Sequence, residues 1–289
     1  MSQIIGSIIT DCADDNARAR QELRFASLFG VKPTFLGVRA VAPDVEAAGN
    51  LIDQLGALTN LPASASHNEA IILVNVAPRG DKVKKKWNNG TPFCYFRIGN
   101  VLVVSTYAGR ALSLAQEYGL VKSVELLDMP TVTAAAVKWG EITQNQAERI
   151  NHTQFRSLEF LPLVAYWLTQ KKPVPSKTQV LEEQHDIHGK VWCIDNFGNA
   201  KTTLRPEDID FTEGKALALA DGKLATCYRR LADVPKDTTA LVIGSSGYQS
   251  NRFLEVVVQW QDNGFHGSDS AKIRHNLSVG STVLGDELR

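Results

Sequence analysis

The chain has 289 residues, 44% of them apolar, which is enough for two packed domains or one large one with an ordinary core. Lysine plus arginine and aspartate plus glutamate both number 31, so no global charge steers it toward nucleic acid or an anionic membrane, and partners must be recognised locally. The first apolar run, Ile4 to Ile9, is too short for a signal or membrane segment, and the four cysteines (Cys12, Cys94, Cys193, Cys227) lie far apart with no CxxC pair; the expectation is a cytoplasmic chain with reduced thiols and no metal centre.

Ile4 to Ile9 reads as a strand, followed by an acidic loop and a helix through Ala17, Leu23 and Phe29, with Thr10, Asp11, Asp14 and Asn16 as capping candidates. An acid at the carboxyl end of a first strand lies where open α/β sheets place ligands. Asp11 is therefore a candidate for a ribose diol, whose two hydroxyls one carboxylate can accept together, and equally a candidate helix cap. Thr34 to Val38 reads as the second strand, and Asp44 as the cap of a helix through Val45, Ala48, Leu51, Ile52 and Leu55. The continuous apolar run Ile71 to Val76 predicts a central strand buried on both faces.

The run Lys82, Lys84, Lys85 and Lys86 beside Trp87 reads as a solvated hairpin loop rather than a nucleic-acid patch, because no second basic cluster or aromatic platform accompanies it. Phe93 to Ile98 and Val101 to Thr106 predict a hairpin whose Gly99-Asn100 turn is type I′-like. Gly109 then opens a helix through Leu112, Ala115 and Tyr118. His152 reads as a solvent-facing loop histidine.

The stretch from Lys171 to Asp186 has linker composition, and short β-rich runs follow it: Val191 to Ile194, Ala216 to Leu219, Leu224 to Tyr228, Thr239 to Ile243, Phe253 to Trp260 and Ser281 to Leu284. Gly244 to Tyr248 reads as a flexible turn. The predicted architecture is an α/β N-terminal domain (1–170) with a central mostly parallel sheet, a linker (171–186), and a smaller all-β C-terminal barrel-like domain (187–289). The chain is organised around the stretch Val191 to Thr203, because an apolar strand delivers Asp195 into a tight Asn/Gly turn at its end.

Asp195, Phe197, Gly198, Asn199 and Thr202, together with Thr10-Asp11 and Ser245, Gly247 and Tyr248, resemble the motifs of the S-adenosylmethionine hydroxide adenosyltransferases and their halogenase relatives. The resemblance spans nearly the whole chain in order. It implies that Asp11 binds the adenosine ribose, that Asp195 holds the methionine amino group, that Phe197 lines the adenosyl pocket and that Asn199 contacts the ligand. By the same resemblance Ser245, beside Tyr248, holds the methionine carboxylate, and Gln259 stands at the place of the adenine-reading Asn. The implied ligand is S-adenosylmethionine or adenosine with no further cofactor. The implied assembly is a homotrimer in which the C-terminal domain of one subunit closes on the N-terminal domain of the next.

The water-activating Asp, Arg and His of that family fall here at Ala77, at about Lys84, and at Arg156 or Phe155 according to register. Lys84, Glu159 and His152 are the candidates to replace them. Two readings stay open. One is a divergent enzyme displacing methionine at the ribose C5′ to give adenosine, and the other is a non-catalytic S-adenosylmethionine or adenosine binder.

Overall fold

The computed structural model describes residues 4–38, 41–59, 61–62, 68–76, 90–182, 187–259 and 270–285. The chain is mixed α/β with two mixed sheets and divides into two compact units. One unit takes the described residues of 1–39 and 61–183, the other those of 40–60 and 184–289. The basic run around Lys84 lies outside the described residues.

The first unit is built on a seven-stranded sheet in the order β2-β1-β3-β5-β4-β6-β7. Strands β1 (Ile4–Thr10), β2 (Thr34–Gly37), β3 (Glu69–Asn75) and β5 (Val101–Thr106) pair in parallel. Strands β4 (Phe93–Ile98), β6 (Ser123–Leu127) and β7 (Lys177–Val180) add antiparallel pairings at the other side. The run Ala70 to Val74 in β3 is buried throughout, as a strand covered on both faces must be. Helix α1 (Asp15–Phe29) starts where the Asp14 carboxylate accepts from Ala17 N at 3.0 Å, and it ends at Gly30, whose φ of +74° is the left-handed stop glycine allows.

Several local expectations change. In the β4–β5 turn only Gly99 has positive φ (+53°), so the turn follows the II′ pattern, with glycine at its first central position, and not I′. The helix predicted from Gly109 begins only at α3 (Ser113–Glu117), because Gly109 sits at φ +93°. Within the predicted linker, Lys177–Val180 is an edge strand on β6; its polar, mostly exposed side chains give it the composition of a loop. The stretch 120–160 also contributes α4 (Met129–Lys138), capped by Asp128, α5 (Gln144–Asn151), opened by a Thr143/Gln146 capping box, and the single turn α6 (Arg156–Glu159). Helix α7 (Leu161–Thr169) packs Leu161, Val164, Ala165 and Trp167 into the core with Phe25, Ile71, Leu73 and Val104.

The second unit has a six-stranded sheet, β10-β11-β12-β13-β9-β8. Its strands are β8 (Val191–Ile194), β9 (Ala200–Thr202), β10 (Ala216–Ala218), β11 (Leu224–Tyr228), β12 (Thr239–Tyr248) and β13 (Asn251–Val258). Gly244 to Tyr248, expected as a turn, continues β12 through a bulge between Ile243 and Gly247; the chain reverses at Gln249, which takes the positive φ of +52°. Residues 280–285 hydrogen-bond to both edges of the sheet, Val283 N to Gly189 O on one side and Ala220 N to Val283 O on the other. His275, following the short α8 (Ala271–Arg274), is buried and links Asp221 Oδ2 (2.9 Å) to Thr239 Oγ1 (3.0 Å).

This unit is not all-β. Helix α2 (Pro43–Ala57), read from sequence as part of the N-terminal domain, packs on β8 and β12. Gly49 permits the approach, because a Cβ there would stand 2.1 Å from the Trp192 indole. The helix starts at Pro43 without a side-chain cap, and Asp44, expected as that cap, is buried in the first turn. No helix among the described residues is long and apolar enough to cross a membrane.

Candidate functional site

In the first unit the parallel strands bring their carboxyl ends to one edge. The connection out of β1 leads to β2 on one side, while β3 lies on the other, so the β1/β3 junction is a topological switch point where such sheets open a crevice. Thr10 and Asp11 stand at this junction beside Asn75. Asp11 N donates to Asn75 O (3.2 Å), and the Asn75 amide donates to Thr10 Oγ1 (3.3 Å). Cys12 N also donates to Thr10 Oγ1 (3.1 Å), and Gln21 Nε2 reaches Cys12 O (2.9 Å), so the loop after β1 is tied from both sides. The cap of α1 is Asp14, which removes the capping role from Asp11. Thr106 Oγ1 extends the row by donating to Val76 O (2.9 Å).

His152 is exposed at the end of α5, its N–H bonded to Glu148 O and Arg149 O. Glu159 is buried, its Oε2 at ion-pair distance from Arg149 (3.0 Å) though without hydrogen-bond geometry. Its carboxylate is thus paired with Arg149 by charge, with Oε2 buried and without a hydrogen-bond donor among the described residues. Lys84 lies outside the described residues, so the three candidate catalytic groups are not seen together. Arg156 packs over Phe93, and Phe155 lies under Arg20.

In the second unit the Asp195 loop is built as expected. Asp195 Oδ1 accepts from Phe197 N (2.8 Å) and Asn199 N (2.9 Å), and Oδ2 accepts from Asn199 Nδ2 (3.0 Å). A carboxylate offers about four lone-pair positions, so three internal donors fix the loop and leave one acceptor position. Gly198 (φ +77°) lies against Ser270, where a Cβ would stand 2.4 Å from the Ser270 side chain. Phe197 is 57% exposed at the loop tip.

Beside this loop runs a cross-strand row, Cys193, Lys201 and Glu255, alternating with Ala200, Leu254 and Val256, which enter the core. Lys201 Nζ donates to Ser246 Oγ (2.8 Å) and stands 5.6 Å from the Trp192 ring centre. Asp53 of α2 accepts from Gly247 N (2.9 Å), anchoring the helix at the β12 bulge. The Glu255 side chain lies over Gly244, where a Cβ would come within 2.4 Å of it, and accepts from the Ser245 N–H. Burial pushes the Glu255 carboxyl above the ordinary range; Lys201 opposes this, and Asp195 and Asp53 reinforce it. Burial likewise pushes the Cys193 thiol up to about 11, so it is protonated at neutral pH and not a nucleophile.

Asp195, held by Asn199, and the Ser245 N–H therefore both act on Glu255. Tyr248 lies beyond the bulge, paired with Asn251, and Gln259 follows β13, its backbone bonded to Asp237 and Thr238. Sequence reasoning missed Asp53, Lys201, Ser246 and Glu255. A signal existed for Glu255, a charged residue inside the apolar run Phe253 to Val258, whereas Asp53 joins only because α2 belongs to this unit.

No family model and no curated protein matches the chain. Among solved structures it is similar to an uncharacterized conserved protein from Thermotoga maritima (TM-score 0.61, 14% identity, covering 97% of this chain and 98% of that one). It is also similar to a conserved hypothetical protein from Thermus thermophilus (TM-score 0.57, 20% identity, 98% and 100% coverage). At these identities the likeness concerns the fold alone.

Proposed function

We propose that this chain binds an adenosyl ligand, S-adenosylmethionine or adenosine, with Asp11 as the ribose acid and Asp195 as the acid for the methionine ammonium. The observation that carries this reading is the position of Asp11 at the β1/β3 switch point, beside Thr10 and Asn75, with the cap of α1 supplied by Asp14 instead. The Asp195 loop supports it, since it presents a carboxylate fixed by its own backbone rather than one that must be ordered on binding.

Binding without turnover fits the described residues better than catalysis. Displacement of methionine from a sulfonium needs little acid help, because sulfur leaves neutral, but water is a very weak acid and must be deprotonated or polarised. Loss of a positioned base costs about 10²- to 10⁴-fold in rate. Glu159 is engaged by Arg149 and His152 is exposed on another element, so neither is arranged as such a base. Hydrolysis through Lys84 is the second reading, and a homotrimer accompanies both; sedimentation showing a monomer at micromolar concentration removes the trimer.

Calorimetry with S-adenosylmethionine and with adenosine, with adenosine release followed in the same sample, tests the assignment. Asp11→Asn is expected to weaken both ligands. Asp195→Asn keeps the Oδ1 acceptor that shapes its loop and is expected to weaken only S-adenosylmethionine, by roughly ten- to a hundredfold. If the wild-type protein binds neither ligand, or if both variants weaken adenosine equally, the assignment is wrong. Release of adenosine by the wild-type protein selects the catalytic reading.

A further inference from the structure

Arg156 opens α6, and two contacts and a closely approaching glycine position its guanidinium. Its Cζ lies over the Phe93 ring at 5.1 Å from the centre, and Nη1 donates to Thr91 O at 2.8 Å. Gly90, at φ +74°, brings the backbone so close that a Cβ there would stand 2.5 Å from Nη2. Thr91 is itself buried and held by Ala108 N, which donates to its hydroxyl at 3.0 Å.

The group is half-buried, and among the described residues no carboxylate lies at ion-pair distance from it. The acid one turn along the same helix, Glu159, is taken by Arg149. Desolvation alone lowers its pKa, with no neighbouring charge opposing the effect. A guanidinium carries five N–H donors, and one of them is accounted for by Thr91 O. Desolvating a fixed charge without a counter-charge is unfavourable, and an anion seated on the remaining donors removes that penalty.

The position also bears on function. Phe93 pairs with Thr106, whose hydroxyl reaches Val76 O at the end of β3, so Arg156 stands along the same carboxyl edge as Asn75, Thr10 and Asp11. From β4 to β1 there are three strand spacings, roughly 14 Å. That is too far for the hydroxyls of a ribose held by Asp11, so the two groups serve separate subsites.

We propose that Arg156, positioned by Thr91 and Phe93, is an oxyanion-binding subsite at the carboxyl edge of the first sheet, taking a carboxylate or phosphate group through the guanidinium donors that no described residue takes. A planar fork suits either group, because two parallel N–H donors match two oxygens. The inference does not depend on the adenosyl reading, since simple anions suffice to test it.

The test is titration of the full-length protein with acetate and with inorganic phosphate, ionic strength held constant with sodium chloride, followed by calorimetry and by thermal shift. Saturable binding of at least one anion to the wild-type protein is expected; the one preferred identifies the group as carboxylate or phosphate. Arg156→Gln is expected to weaken it by roughly tenfold or more. Arg156→Lys keeps the charge but loses the fork and is expected to fall between the two, while Arg149→Gln binds like the wild type. If neither anion binds the wild-type protein, or if Arg156→Gln or Arg156→Lys binds as tightly as wild type, the subsite does not exist. Should Arg156→Gln fail to fold, the wild-type and Arg156→Lys titrations decide the question.

Discussion

The Lys201–Glu255 row concentrates the electrostatics of the second unit on a few side chains. Glu255 keeps its proton to higher pH in the folded chain than in the unfolded one, because burial penalises its charged form more than Lys201 stabilises it. Between the ordinary and the raised value the native state therefore binds more protons, and stability falls as pH rises through that window. Glu255→Gln is expected to remove this slope. Urea midpoints measured from about pH 4 to 7 should show the wild-type protein losing stability relative to the variant as pH rises; parallel curves would contradict the buried placement of this carboxyl. Lys201→Met removes the cation that opposes the shift and should move the same slope to higher pH.

Among the elements, α2 shows how one small residue decides an attachment. Gly49 lets the helix backbone lie on Trp192, and Asp53 one turn later fixes it by accepting from Gly247 N. Gly49→Ala has no room without displacing the helix or the indole, and overpacking of this kind costs about 1–3 kcal/mol. Chemical denaturation measures that loss, and a changed near-ultraviolet signal from Trp192 should accompany it; an unchanged midpoint would mean that α2 is not held there. The α1 cap provides a contrast at a solvent-facing position. Asp14→Ala should cost about 1 kcal/mol, the usual worth of an N-cap, and should leave the sheet intact.

At the scale of the whole molecule, the second unit is discontinuous in sequence. A fragment of residues 184–289 carries the six strands but leaves Trp192 and the β12 bulge without α2. Such a fragment is expected to unfold without a cooperative transition, or at markedly lower denaturant than the intact chain, and to gain structure by circular dichroism when a peptide of residues 40–60 is added. A fragment as stable as the parent, indifferent to the peptide, would show that the helix contributes little.

The sequence by itself determined the features that rest on local physics. The apolar run Ile71 to Val76 marked a central strand, Asp14 stood among the capping candidates for α1, and Asp195 before an Asn/Gly turn marked an acid held at a strand end. Asp11 at a strand end was legible for the same reason. What the tertiary structure decided depends on contacts between residues far apart in the chain. The polar edge strand Lys177–Val180 is recruited only because β6 offers an unpaired edge, and Gly244 to Tyr248 stays in β12 because β13 pairs alongside it. Asp53 meets Gly247 across 194 positions, and Arg156 meets Thr91 across 65. Periodicity and propensity describe what a segment prefers on its own, whereas burial and charge compensation at these places are fixed by which distant segment arrives beside it.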